Sequence, residues 1–207
     1  MRKNFRFYSF KLSGIMILAF VLQVFIPLFT EIFVLNQSSW TQPWRFVSAI
    51  FLHGGFGHIA YNLFALVLFG SILESLIGSK KFLAVFFVTG ILANLVSVNF
   101  YNSSLGASGA IFGIIGAMIF IKPGQFVWAF GLPMPIFIAG ILWAVGDAIG
   151  IFIPDNVGNI AHLSGMFFGL VLGAYYRKGF LKRRRYKDRK LRLDERSMRK
   201  WEDSYLK

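Results

Sequence analysis

Residues 158–176 read GNIAHLSGMFFGLVLGAYY. The stretch carries no Lys, Arg, Asp or Glu. At a rise of about 1.5 Å per residue it crosses nearly all of a hydrocarbon core about 30 Å thick. Gly165, Gly169 and Gly173 recur every fourth residue, so they fall on one helix face. A stripe of that kind lets a second backbone approach closely. His162 stands in the first turn and a half. A titratable group in an apolar span is costly to keep, which makes it a functional candidate.

Five further stretches of this type lie upstream. The predicted spans are residues 12–34, 58–77, 81–100, 105–121, 132–152 and 158–176. The chain has 207 residues, 56% hydrophobic and 15% charged, well away from a soluble domain. The expected fold class is therefore all-α: a polytopic membrane protein with a six-transmembrane-helix bundle. The first span follows Arg2, Lys3, Arg6 and Lys11. Its apolar run is long and no small-x-small cleavage pattern follows, so it reads as retained. There is no cysteine, which excludes disulfides, thiolate metal sites and a cysteine nucleophile.

Net charge is +13, and its placement predicts orientation. Residues 177–207 carry 14 of the 22 Lys and Arg. Lys80, Lys81 and Lys122 fall in loops on the same side as both termini, and the other loops hold only Arg45. Both termini are thus expected to be cytoplasmic, in a multi-pass protein of the cell membrane. Three regions result: 1–11, a cytoplasmic segment; 12–176, the membrane domain; 177–207, a basic cytoplasmic tail facing anionic lipid. The tail has no zinc or RNA-binding motif, so nucleic acid is not an expected partner. The loop 36–57 contains Trp40 and Trp44, and Trp44–Leu52 is amphipathic enough to lie in the interface.

The second, fourth and sixth spans run in the same direction. His58, Ser108 and His162 each fall within the first few residues of theirs, at one depth near the outer surface. Asn62 lies one turn after His58 on the same face. The fourth span carries its own stripe, Gly109-x3-Gly113 with Gly106 and Gly116 nearby. Serine needs a neighbouring base to become a nucleophile, and imidazole serves near neutral pH. His58, Asn62 and backbone N–H groups near Ser108 are candidates for oxyanion donors. Gly106 and Gly109 are expected to leave room for substrate backbone. Singly, each residue has a plain alternative. Membrane serines commonly bond their own helix, and membrane histidines are commonly packed and satisfied. The shared depth is what favours chemistry.

Competing chemistries lack their residues. No H-E-x-x-H is present, so no metal and no cofactor is expected. An aspartyl mechanism needs two carboxylates at one site. Asp147 has no second carboxylate for this, since Glu74 is expected at the opposite, cytoplasmic face; its own role is left open between capping or bridging neighbouring helices and facing water near the site. The expected pair is therefore a dyad, with no third carboxylate at its layer. A transporter would favour internal repeats and broken helices at mid-membrane, and no repeat is found.

Together the residues resemble the rhomboid family of intramembrane serine proteases. The resemblance runs over about residues 40–176, through Trp44-Arg45, His53-x4-His58-x3-Asn62, Gly70-x3-Glu74-x3-Gly78-Ser79, Gly106-Ala107-Ser108-Gly109 and Ala161-His162-x2-Gly165-x3-Gly169. It implies Ser108 as nucleophile, His162 as general base, and His58 and Asn62 as oxyanion-stabilising groups. It implies structural hydrogen-bonding roles for His53 and Glu74, and a loop-anchoring role for Arg45. It sets Phe112 as the aromatic packed on the catalytic histidine. The implied activity is endopeptidase cleavage of single-span membrane proteins near the outer surface. A catalytically inactive binder of transmembrane helices is the alternative within the family, and a small transporter the alternative outside it. The spacer around Asp155-Asn156 reads as an ordinary loop. Pro133 and Pro135 near the start of the fifth span mark that span as a mobile gate.

Overall fold

The structure, a computed structural model, describes residues 6–153 and 157–205, without the side chains of 183–185 and 187–193. Arg2, Lys3 and the Asp155-Asn156 spacer lie outside the described residues, as do most basic side chains of the tail.

Helix α1 (Tyr8–Phe25) stops well short of the expected residue 34. The cause is Pro27, which disfavours helical backbone at the residue before it. Ile26 is accordingly extended, at φ −110° and ψ 112°. The chain turns at Leu28 (φ 63°) and forms the short α2 (Phe29–Phe33). The N-terminus of α1 is capped from a distance. Glu74, fully buried, accepts from the backbone N–H groups of Arg6, Tyr8 and Ser9 at 3.2–3.3 Å. Its carboxylate thus meets unpaired donors at the positive end of the helix dipole. Ser79 Oγ–H adds a bond of 2.6 Å to the same carboxylate.

The first loop is folded rather than merely anchored. Strand β1 (Leu35–Asn36), a 3-10 turn (Gln37–Trp40), α3 (Arg45–Ser48) and a second 3-10 turn (Ala49–Phe51) enclose a small core. That core holds Leu35, Phe46, Ala49 and Val98. Trp40 and Trp44 remain exposed. Arg45 is buried and donates to the Glu31 and Val34 carbonyls at 2.7 and 2.8 Å and to Gln42 Oε1 at 2.6 Å. It ties the end of α2 to the loop.

Helix α4 (Phe56–Ala65) continues through a π-helical stretch, Leu66–Gly70, into α5 (Ser71–Ile77). Gly78, at φ 89°, makes the turn into α6 (Ser79–Ser97). Strand β2 (Ser103–Ser104) pairs antiparallel with β1, Leu35 opposite Ser104. Helix α7 (Ser108–Ile121) begins three residues later than expected, because Gly106 sits at φ 124°, outside helical backbone. It is the central helix, buried over most of its length against α6, α8 and α9.

The region before the fifth span departs from the all-helical expectation. Strands β3 (Phe126–Ala129) and β4 (Leu132–Pro135) form a hairpin, and α8 (Ile136–Gly150) starts only after it. The turn residues Phe130 and Gly131 have φ 53° and 76°, the mirror-image turn that suits strand twist. Val127 and Ala129 point into the core while Phe126 and Trp128 point out. Pro133 and Pro135 are tolerated because β4 is an edge strand. Helix α9 runs unbroken from Asn159 to Tyr205, 47 residues, straight past position 176.

Among the described residues, three helical stretches are long and apolar enough to cross a bilayer: Tyr8–Phe25, Phe56–Ile77 and Ser79–Ser97. Helices α7 and α8 are shorter and apolar. Leu18, Phe25, Phe64, Ile141 and Val145 face outward with large exposed areas. Exposed apolar surface on this scale belongs against lipid. The chain is an integral membrane protein.

Candidate active site

Helices α4, α7 and α9 all present their N-terminal ends to one face of the bundle. His58 and Asn62 on α4, Ser108 at the first position of α7 and His162 on α9 line a single open cavity of about 1210 Å³. The α7–α9 seam explains the convergence of the last two. A Cβ built on Gly165 falls on the Gly109 carbonyl, and one on Gly169 falls on the Gly113 carbonyl. The two backbones are in direct contact there, as the stripes predicted.

Gly106 and Gly109 both line the cavity, and on the side where a Cβ would project each is closely packed. A Cβ on Gly106 would lie 2.8 Å from His58 Nε2, and one on Gly109 2.8 Å from the Ala93 Cβ. Both glycines are needed because protein already occupies that volume.

Hydrogen bonds set the histidine tautomers. The Gly54 N–H donates to His58 Nδ1 at 3.3 Å, so the proton of His58 is on Nε2, the nitrogen nearest Gly106. His53 Nδ1 lies 3.2 Å from the Phe51 carbonyl and carries its proton there. His53 sits in the loop before α4, nearly fully buried. Burial first, and His58 second, push its pKa from 6.5 down to about 4, with the Phe51 bond opposing. Asn62 Nδ2 donates to the His58 carbonyl at 2.8 Å, which leaves one amide hydrogen uncommitted. The backbone N–H of Ser108 is one of the N-terminal donors that a helix cannot satisfy internally.

Two contacts hold His162. The Phe112 ring is stacked on it, centroids 4.3 Å apart and planes 7° apart. The second contact overturns an expectation. Asp147, whose role the sequence leaves open, places Oδ1 2.9 Å from His162 Nδ1. A carboxylate is therefore present at this layer after all. Glu74, at the other end of α4–α5, is far from it and caps α1.

Three more residues support the site without having been picked out of the sequence. Gln23 clamps the His53 backbone in both directions, accepting from its N–H at 2.9 Å and donating to its carbonyl at 3.2 Å. The Tyr101 hydroxyl accepts from the Ile160 N–H at 3.0 Å at the start of α9. Trp143 backs Phe112 at 6.3 Å. Gln23 and Asp147 are polar residues in apolar helices, which is the signal that marks them. Among the described residues no group of three or more His, Asp or Glu side chains stands together as a metal site.

Residues 40–179 match the family model of the rhomboid domain. The chain belongs to the rhomboid family. Among its relatives, rhomboid protease GluP of Bacillus subtilis is 33% identical over 139 residues, 65% of this chain and 26% of that one. Rhomboid protein 1, mitochondrial, of Saccharomyces cerevisiae is 29% identical over 171 residues, 75% of this chain and 49% of that one. Rhomboid-like protein 11, chloroplastic, of Arabidopsis thaliana is 35% identical over 153 residues, 66% of this chain and 52% of that one. The chain therefore spans between a quarter and about half of the length of these relatives. The rhomboid match takes in the whole polar cluster, from Arg45 through His162, and leaves out α1.

Proposed function

We propose that this rhomboid chain is an intramembrane serine endopeptidase that cleaves single-span membrane proteins. The observation that carries the proposal is one cavity lined by Ser108, His58 and His162, with the imidazole of His162 fixed by its neighbours. Ser108 Oγ attacks the scissile carbonyl while His162 Nε2 takes its proton. The tetrahedral oxyanion accepts hydrogen bonds from the His58 Nε2–H, the Ser108 backbone N–H and the free amide hydrogen of Asn62. Its collapse expels the amine, which takes the proton from His162 and leaves an acyl-serine. Water, deprotonated by the same imidazole, then frees the carboxylate product and restores Ser108.

The membrane arrangement proposed with it has six spans, both termini in the cytoplasm and the cavity open to the extracytoplasmic side of the cell membrane. The regions are 1–11, 12–176 and 177–207, the last facing anionic lipid. The distribution of Lys and Arg supports this orientation. So does the common direction of α4, α7 and α9, whose N-terminal ends share the cavity.

The test is labelling with a fluorophosphonate probe, alongside cleavage of a reconstituted single-span substrate. Wild type is expected to be labelled and active, and Ser108→Ala and His162→Ala to be inserted but inert. Full cleavage by Ser108→Ala would sink the proposal.

A further inference from the structure

Asp147 occupies the C-terminal half of α8, an otherwise apolar helix, and is 8% exposed. One carboxylate oxygen meets His162 Nδ1 at 2.9 Å, and the other, also buried, has no hydrogen-bond partner among the described residues. A buried carboxylate is destabilising unless something hydrogen-bonds to it. Here the structure gives it His162 alone. A polar group retained under those terms is better explained by what it does to the imidazole than by what it does for the fold.

We infer that Asp147 is a positioning residue for the general base: its ionised carboxylate holds the Nδ1–H of His162, so that Nε2 carries the lone pair that receives the serine proton. The inference rests on the protease reading and adds a third member to the Ser108–His162 pair. The chemistry is directional. A carboxylate only accepts, so it selects the tautomer protonated on Nδ1. A protonated acid, or an amide that turns its NH2 toward the ring, donates to Nδ1 and selects the tautomer protonated on Nε2, which cannot take a proton from serine. In the serine-protease triad the same Asp to Asn change lowers kcat about 10⁴-fold for that reason. The Phe112 stack fixes the plane of the ring, but a stack cannot choose between its nitrogens. The two restraints are complementary.

The chain has only three histidines, which makes the ring nitrogens directly readable. Protein labelled with ¹⁵N-histidine is reconstituted and its spectrum recorded at a pH where the rings are neutral. Each ring is assigned by its His→Gln variant. The expected pattern is Nδ1–H for His53, Nε2–H for His58 and Nδ1–H for His162. In Asp147→Asn the His162 signals alone exchange to the Nε2–H form. The kcat of that variant falls at least about 100-fold with KM changed by less than about twofold, and Asp147→Glu recovers part of the loss. Wild-type His162 already protonated on Nε2 would overturn the inference. So would an Asp147→Asn enzyme retaining more than about a third of the wild-type kcat. Where Asp147→Asn does not accumulate, the wild-type spectrum alone decides. The spectrum needs no turnover. A chain that cleaves nothing would refute the protease reading and leave Asp147 to be judged by its tautomer.

Discussion

The rings of Phe112 and His162 lie face to face, 4.3 Å between centroids and 7° from parallel. Phe112 stands one turn after Ser108 on α7, so the helix that delivers the proposed nucleophile also supplies the surface on which the proposed base rests. Truncation to Phe112→Ala removes that surface and lets the imidazole swing about its remaining tie to Asp147. We expect kcat to fall roughly 10- to 100-fold, since a misplacement of about 1 Å has effects of that size. Phe112→Tyr keeps the stack and should stay within about threefold of wild type. Single-turnover cleavage of a reconstituted substrate measures both.

Asn62→Ala removes one donor proposed for the oxyanion and leaves the His58 carbonyl to its helix. The expected loss in kcat is about 10- to 1000-fold with folding preserved. A variant that unfolds while its surviving fraction turns over normally would assign Asn62 to structure alone.

Glu74 predicts the opposite split. Its carboxylate caps the first residues of α1 and is remote from the cavity. Glu74→Ala strands the N–H groups of Tyr8 and Ser9, while that of Arg6 keeps Ser79 Oγ, and should destabilise the protein by about 2–4 kcal/mol. The kcat of the folded fraction should stay within about twofold of wild type. Thermal unfolding in detergent, run with an active-site titration, separates the two effects.

Gly165→Leu forces a side chain onto the Gly109 carbonyl. Neither backbone can retreat without breaking its own helix, so the variant should lose at least about 3 kcal/mol and accumulate poorly. Gly179→Leu is the control, since a Cβ there would meet only the end of the Lys81 side chain, at 3.8 Å. Folded yield after detergent extraction is the measurement.

Acid should destabilise the protein partly through His53. Its folded pKa, about 4, lies below its ordinary 6.5. Between these values the unfolded chain binds a proton that the folded chain does not. The stability this residue contributes is complete above about pH 6.5 and is lost as pH falls toward about 4. His53→Gln should therefore show a shallower fall in unfolding temperature between pH 7 and pH 4.5. Equal slopes for the two proteins would refute this.

Helix counting was sufficient to place Ser108, His58, Asn62 and His162 in one layer, because rise per residue is nearly invariant. The glycine stripes likewise foretold the α7–α9 contact, since absence of side chains is itself a geometric statement. Rotation was harder to read. Asp147 and His162 sit on different helices joined by a loop, and sequence separation alone does not say which way either helix is turned. Hence the sequence left the role of Asp147 open. The hairpin was missed because Leu132–Pro135 is apolar enough to read as the start of the fifth span, and the period of two in Phe126–Ala129 is only four residues long. Pro27 carried a readable signal that hydropathy overrode: an apolar run through residue 34 looked like one span, although proline makes the preceding residue leave the helix.

The α7–α9 seam sets a limit on redesign. Most interfaces can be loosened or tightened by exchanging one side chain for another of different volume. This one offers no such dial at Gly109 with Gly165, or at Gly113 with Gly169, because carbonyl and Cα are already the contacting groups. The spacing of Ser108 and His162, the proposed nucleophile and base, is thus inherited from main-chain geometry. An engineer who wants a wider or narrower reaction centre must change where each helix begins, by adding or deleting residues ahead of Ser108 or His162, and leave the seam untouched.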